Sequence, residues 1–168
     1  MIDLEQTRFG DLSVPEESLI TLRGGLLGFP NDTRFVLVER ARGPVAFLQS
    51  VDTPALAVPV MDGSTLSPAY PTHPQELLAR LAGVPADDLA ISVVVAVDAA
   101  DRSLRANLVA PIVINASTRR GSQIILPGSG YDTRTRILIV DQLGVMVSDT
   151  PSRERSAEPQ RARECEEP

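Results

Sequence analysis

The sequence predicts a mostly β protein: a small antiparallel β-barrel-like domain with one or two short helices. Three observations predict it. Short apolar runs rich in Val, Ile and Leu, about nine of them, recur between clusters of Gly, Pro, Asn and Asp. Apolar residues fall at helical spacing in only one substantial place, Pro74 to Leu81. The stretch Leu104 to Leu126 has the pattern of two strands folded back on one another, with Pro111 bending the first.

In chain order, Thr7–Phe9 and Leu12–Val14 flank Gly10-Asp11 as a hairpin, and Ser18–Leu22 resumes an extended pattern after Pro15. Arg23 to Pro30 is a glycine-rich loop without phosphate-cradle spacing, so its glycines serve tight backbone turns. Phe35–Val38, Val45–Val51 and Ala55–Met61 are strands, the last carrying Pro59, which points to an edge or a bulge. Asp62–Pro71 is a loop. Thr72 or His73 is placed to cap the helix that follows; Pro74 suits its first turn, Leu77, Leu78 and Leu81 share a face, and Gly83 stops it. Pro85–Asp88 is at most one more helical turn.

Ile91–Val97 is the most β-prone run in the chain and reads as a central strand. Leu108 to Ile114 is too short for a helix carrying a mid-run proline. Thr118-Arg-Arg-Gly121 supplies a turn in which glycine easily takes positive φ, and Ile124–Leu126 returns. Ile137–Val140 and Gly144–Val147 are the last strands. From Thr150 the chain turns to Pro, Ser, Glu and Arg, too poor in apolar side chains to order itself. The expected organisation is one domain over 1–149 and a disordered tail over 150–168.

Composition narrows the function. The 168 residues carry a net charge of −6, with 4% aromatic residues and no tryptophan. A nucleic-acid binder wants a basic stripe and stacking platforms, so direct nucleic-acid binding is not expected. No run approaches the roughly 18 apolar residues of a membrane span, and no basic start precedes an apolar core, so a cytoplasmic protein is expected. One cysteine, Cys165, excludes an internal disulfide, and His73 is the sole histidine, which leaves no nitrogen–sulfur zinc set.

Catalytic constellations are equally thin. His73 suits a helix start or a solvated loop, Gly128-Ser-Gly130 is not a nucleophile elbow, and Asp87-Asp88 suits a solvated or capping pair. No catalytic residue, cofactor or metal is expected. What stands out is polar residues inside apolar strands: Gln49, Ser50, Asn107 and Asn115. A buried amide without a partner costs about 1–3 kcal/mol. These side chains either tie loops and the Pro111 bend to the sheet, or line a surface that meets a partner.

The sequence resembles the FliW family of bacterial flagellar assembly factors. The resemblance rests on Thr7-Arg-Phe-Gly10 with Val14-Pro-Glu-Glu17, on Gly25-Leu-Leu-Gly-Phe29, and on Phe47-Leu-Gln-Ser-Val-Asp52. Above all it rests on Ala106-Asn-Leu-Val-Ala-Pro-Ile-Val-Ile-Asn115 followed by Thr118-Arg-Arg-Gly121 and Gln123. It implies a compact β-barrel-like fold and a non-enzymatic antagonist. That protein would bind the RNA-binding translational repressor CsrA and newly made flagellin, coupling flagellin translation to export. Gln49, Ser50, Asp52, Asn107, Pro111 and Asn115, in the matching segments, are the candidate partner-binding residues. The loop Asp62–Pro71 and the tail from Thr150 depart from the family's pattern. The competing reading is a small-molecule-binding β-barrel or an enzyme with an unrecognised site.

Overall fold

The computed structural model describes residues 1–41, 43–67, 69–140 and 144–148. The expected boundary at 149 and the tail 150–168 lie outside the described residues.

Seven strands close into a barrel. They are β3 (Ile20–Leu22), β4 (Arg34–Val38), β5 (Val45–Ser50), β6 (Ala57–Asp62), β8 (Leu89–Val97), β10 (Ile112–Asn115) and β11 (Arg120–Gln123). Round the barrel the order is β8-β10-β11-β3-β4-β5-β6, and β6 pairs again with β8. A hairpin of β1 (Ile2–Thr7) and β2 (Gly10–Val14) forms a separate small sheet. A second sheet grows from the far half of β8 through β9 (Leu104–Ala106), β12 (Thr135–Val140), β13 (Gly144–Ser148) and the two-residue β7 (Leu66–Ser67).

Residues that favour a pleated surface build the central strand. Ile91 and Val93–Val95 carry β-branched side chains in β8, which is long enough to serve both sheets. Its first half pairs with β10, its second half with β9, and its other edge with β6. β9 and β10 are therefore one strand interrupted. Ala106 lies opposite Val95 and Ile112 opposite Ser92, so Asn107–Pro111 bulges out across only Val93 and Val94. The sequence expectation of a bend or bulge at Pro111 matches this. Pro59 lies in β6 opposite Phe47 of β5, just before the pairing with β8 begins at Val60, where a missing donor is tolerated.

Two cores result. Ile20, Leu22, Phe35, Leu48, Val60, Ile112 and Ile114 fill the barrel. Met61, Leu78, Val93, Leu108, Val113, Ile124 and Ile137 pack between the barrel, the second sheet and helix α1 (Gln75–Ala82). Burying each large apolar side chain stabilises the fold by about 1.5–3 kcal/mol. Tyr70 joins the second core, its ring edge-on to Tyr131 at 5.1 Å and its hydroxyl donating to the Leu108 carbonyl at 2.8 Å.

Several local expectations need correction. Among the described residues thirteen strands are present rather than about nine; β7 and β9, of two and three residues, are too short to show a period. The first hairpin pairs Ile2–Thr7 with Gly10–Val14, so it turns before Gly10 rather than at Gly10-Asp11. Two pairings, β11 with β3 and β13 with β7, are parallel. Helix α1 starts at Gln75 with Pro74 in the N-cap position and no side-chain cap; Thr72 instead donates its N–H to the Tyr131 hydroxyl. Ala86–Asp88 forms bends, within the expectation of at most one helical turn there. The turn after β10 is Ala116–Arg119, with Arg119 at φ 53, and Gly121 lies inside β11. A Cβ on Gly121 would collide with the Val113 carbonyl, so glycine is there for close approach of backbone.

Candidate functional site

The topology gives the barrel two ends. At one end β3, β5 and β11 finish and β4, β6 and β10 begin, so the connections Arg23–Thr33, Val51–Leu56 and Asn107–Pro111 gather there. Five of the six candidate residues, Gln49, Ser50, Asp52, Asn107 and Pro111, belong to this end. Asn115 closes β10 at the other.

Gln49 and Ser50 are fully buried. The Gln49 amide nitrogen donates to the carbonyls of Ser50, Pro54 and Leu56 at 2.9, 2.7 and 3.1 Å, folding the Val51–Leu56 loop back on β5. Its amide oxygen has no partner among the described residues. The Ser50 hydroxyl donates to Asp32 Oδ1 at 2.6 Å and accepts the Thr53 N–H at 2.8 Å, locking together the two loops that flank it. Asp52 Oδ2 accepts the N–H groups of Thr33 and Arg34 at 2.8 and 2.9 Å, and Oδ1 accepts Arg34 Nε–H at 2.7 Å. Burial raises the Asp52 pKa, yet these donors outweigh it and leave the carboxyl below its usual range.

Asn107 shapes the bulge. Its Oδ1 accepts the N–H groups of Val109 and Ala110, both at 3.2 Å, and its own N–H donates to the Val94 carbonyl at 2.9 Å. Pro111 is buried, and its carbonyl accepts the Ile124 N–H at 2.9 Å. At the opposite end, buried Asn115 donates to the Asp87 carbonyl at 2.6 Å and accepts the Thr118 N–H at 2.8 Å. Gln49, Ser50, Asn107 and Asn115 thus hold loops in place, and of the six only Asp52 is exposed as a residue.

The surface those loops present is apolar, and sequence reasoning did not single it out. Leu27 is 58% exposed, Phe29 42% and Ile125 63%. Gln123 binds the pieces together: its Oε1 accepts the Leu27 N–H at 2.7 Å and its Nε2 donates to the Ala110 carbonyl at 3.0 Å. One side chain therefore spans from the glycine-rich loop to the bulge, with Ile125 two residues farther along. Gly25, at φ +66, makes the loop possible, because a Cβ there would collide with the Phe29 carbonyl and sit 2.7 Å from that of Asp32. The signal in the sequence was apolar residues in a loop, Leu26-Leu27-Gly28-Phe29, where polar ones are usual.

The other end holds a cleft of about 700 Å³, lined by Leu37, Ala46 and Ile91 with Glu39, Asp62 and His73 among its polar groups. Among the described residues none of those three polar side chains bonds another. Also among them, no group of three or more His, Cys, Asp or Glu could hold a metal ion. No helix among them is long and apolar enough to cross a membrane.

Comparison with known proteins adds the following. A model of the FliW protein family matches residues 3–137. The flagellar assembly factor FliW of Syntrophus aciditrophicus is 34% identical over 137 residues, covering 80% of this chain and 87% of that one. The one from Geobacillus kaustophilus is 34% identical over 129 residues, covering 76% and 90%. A crystal structure of the flagellar assembly factor FliW superposes with a TM-score of 0.69 at 30% identity, covering 80% of this chain and 95% of that one.

Proposed function

The chain belongs to the FliW family of flagellar assembly factors, and from that premise we propose that it works in the cytoplasm by occupying two protein partners in turn. One is a CsrA-type RNA-binding translational repressor, which it holds away from the flagellin message. The other is newly made flagellin, whose binding releases the repressor. No bond is made or broken; the output is a competition between partners.

The observation that carries this reading is the exposed trio Leu27, Phe29 and Ile125 on one loop-built end of the barrel. Apolar side chains clustered on a surface lose unfavourable hydration when a partner covers them, and such patches mark interaction sites. The loops beneath are tied by Gln49, Ser50, Asp52, Asn107 and Gln123, so the surface is preorganised and binding needs little ordering. The net charge of −6 favours encounter with a basic repressor, an attraction that salt weakens.

The test is co-purification with a CsrA-type repressor, with and without flagellin, comparing the native chain with Ile125→Ser. The native chain should retain the repressor until flagellin is added, and the variant should retain less of both. Native chain that retains neither partner refutes the proposal. The cleft at the opposite end favours a second reading, a small-molecule-binding barrel. Raised thermal stability with a metabolite mixture, abolished by filling the cleft through Ala46→Phe, would support it.

A further inference from the structure

All sixteen basic residues of this acidic chain are arginine, and three of them meet at one seam. β11 runs parallel to β3 with Arg120 opposite Thr21. The Thr21 N–H donates to the Arg119 carbonyl at 2.9 Å, and the Arg23 N–H donates to the Gly121 carbonyl at 2.8 Å. The ladder therefore fixes the backbones of Arg23, Arg119 and Arg120 beside one another, and all three residues are exposed.

Between Arg23 and Arg120 and the end of α1 lies a hollow of about 310 Å³, lined by these two arginines, Thr21, Gly121 and the helix end Ala82–Val84; Arg119 lies outside it. The Arg23 side chain lines it beside the helix end. Its guanidinium lies so close to Gly83 that a Cβ there would stand 2.8 Å from Nη2 and 2.9 Å from Nη1. Gly83 is left-handed at φ 68, and the negative helix end favours a cation beside it. Among the described residues, Arg34, Arg105 and Arg134 each have a carboxylate within 4 Å, whereas Arg23, Arg119 and Arg120 have none. Gathered like charges repel one another, and an anion brought from outside relieves that repulsion.

We infer that this hollow binds a carboxylate presented by an acidic segment of a partner protein. A planar guanidinium fork matches a carboxylate with two parallel hydrogen bonds, and Arg120 stands ready to supply it while Arg23 adds charge from the helix side. The hollow is small enough for one or two acidic side chains. A nucleic acid is disfavoured, because its long run of phosphates would meet the field of a chain at −6 beyond this local patch. The inference stands apart from the apolar surface at the end of the barrel.

The test is fluorescence anisotropy of the full chain with a labelled oligoglutamate peptide as probe. Saturable binding should weaken with salt and fall about tenfold in Arg120→Gln, the effect of one charge-assisted hydrogen bond. Arg134→Gln removes the same charge from a guanidinium already paired with Asp98 at 2.9 Å, and should bind as the native chain does. Thermal unfolding of both variants controls for folding, and Arg120 is chosen because Arg23 also contacts the helix. Unchanged affinity in Arg120→Gln, or an equal loss in Arg134→Gln, overturns the site. Displacement of the peptide by inorganic phosphate at equal concentration, or tighter binding of an oligouridylate of matched charge, overturns the ligand class. None of these outcomes touches retention of the repressor or flagellin, which is measured separately through Ile125.

Discussion

Asp52 grips Arg34 twice: Oδ2 accepts the Arg34 backbone N–H at 2.9 Å while Oδ1 accepts its Nε–H at 2.7 Å. The same carboxylate takes the Thr33 N–H, so one side chain joins the end of the glycine-rich loop to the turn after β5. Its folded pKa is depressed below the usual aspartate range, because those donors outweigh the opposing effect of burial. A depressed acid stabilises the fold above its unfolded pKa and loses that contribution as pH falls through the lower folded value. Asp52→Asn should therefore cost about 1 kcal/mol at neutral pH, with the gap to the native chain closing as pH falls below about 4. Urea midpoints at neutral and acid pH measure it, and a gap that stays constant on acidification counts against the linkage.

Gly25→Ala tests whether the loop conformation matters to the surface above it. The substitution places a methyl against the Phe29 and Asp32 carbonyls at a backbone angle of φ +66. Strain at such a position costs on the order of 1–3 kcal/mol, and the backbone collision adds to it. The fold should persist, because the strands supply most of the barrel's interior core and this loop adds only Leu26 to it, while Leu27 and Phe29 lose their fixed placement. Lower melting temperature together with weaker partner retention is expected. A variant with native melting and native retention would show that the loop adapts freely.

How much of this was legible in the sequence depends on how local the deciding physics is. β8 was readable from its run of Val and Ile, α1 from the spacing of Leu77, Leu78 and Leu81, and the bulge from Pro111, since each signal is intrinsic to a few neighbouring residues. Gly121 was misread as a turn glycine because glycine serves positive φ and close packing equally, and only the contact with Val113 distinguishes them. The pairing of β13 with β7 joins Val145 to Leu66, far apart in sequence, and no local pattern carries it. At the candidate site the polar residues stood out because they interrupt apolar strands. Whether Gln49 faces a partner or the Pro54 and Leu56 carbonyls is settled by loop closure, which composition does not encode. The exposure of Leu27, Phe29 and Ile125 is a tertiary outcome of the same kind.

Asn107 and Pro111 both belong to the bulge, but the structure ranks them. Asn107 accepts two backbone N–H groups there, which would otherwise lack partners in a half-buried turn. Pro111 contributes through fixed φ and by removing a donor. Asn107→Ala should cost about 1–3 kcal/mol, and Pro111→Ala should cost less, near the ~0.4–1 kcal/mol of restored unfolded-chain freedom. Denaturant midpoints of the two variants give the order directly. The reverse order would mean that proline, not the asparagine amide, holds the bend.

Gln123 and Ile125 separate what builds the surface from what the surface offers. Gln123 spans from the exposed Leu27 N–H to the partly buried Ala110 carbonyl, so Gln123→Ala strips a partner from each, at a cost of about 1 kcal/mol that comes mainly from the carbonyl. Ile125 makes no such bond and is 63% exposed, so Ile125→Ser should change stability by less than about 0.5 kcal/mol. If the apolar surface is where partners dock, both variants should retain less repressor and flagellin, but for different reasons. Gln123→Ala loses binding together with melting temperature, and covering the loosened loop with partner should recover part of that loss. Ile125→Ser loses binding at native melting temperature, because only apolar contact is removed. Thermal unfolding alongside binding isotherms resolves the two, and native affinity in Ile125→Ser would place the docking surface elsewhere on the molecule.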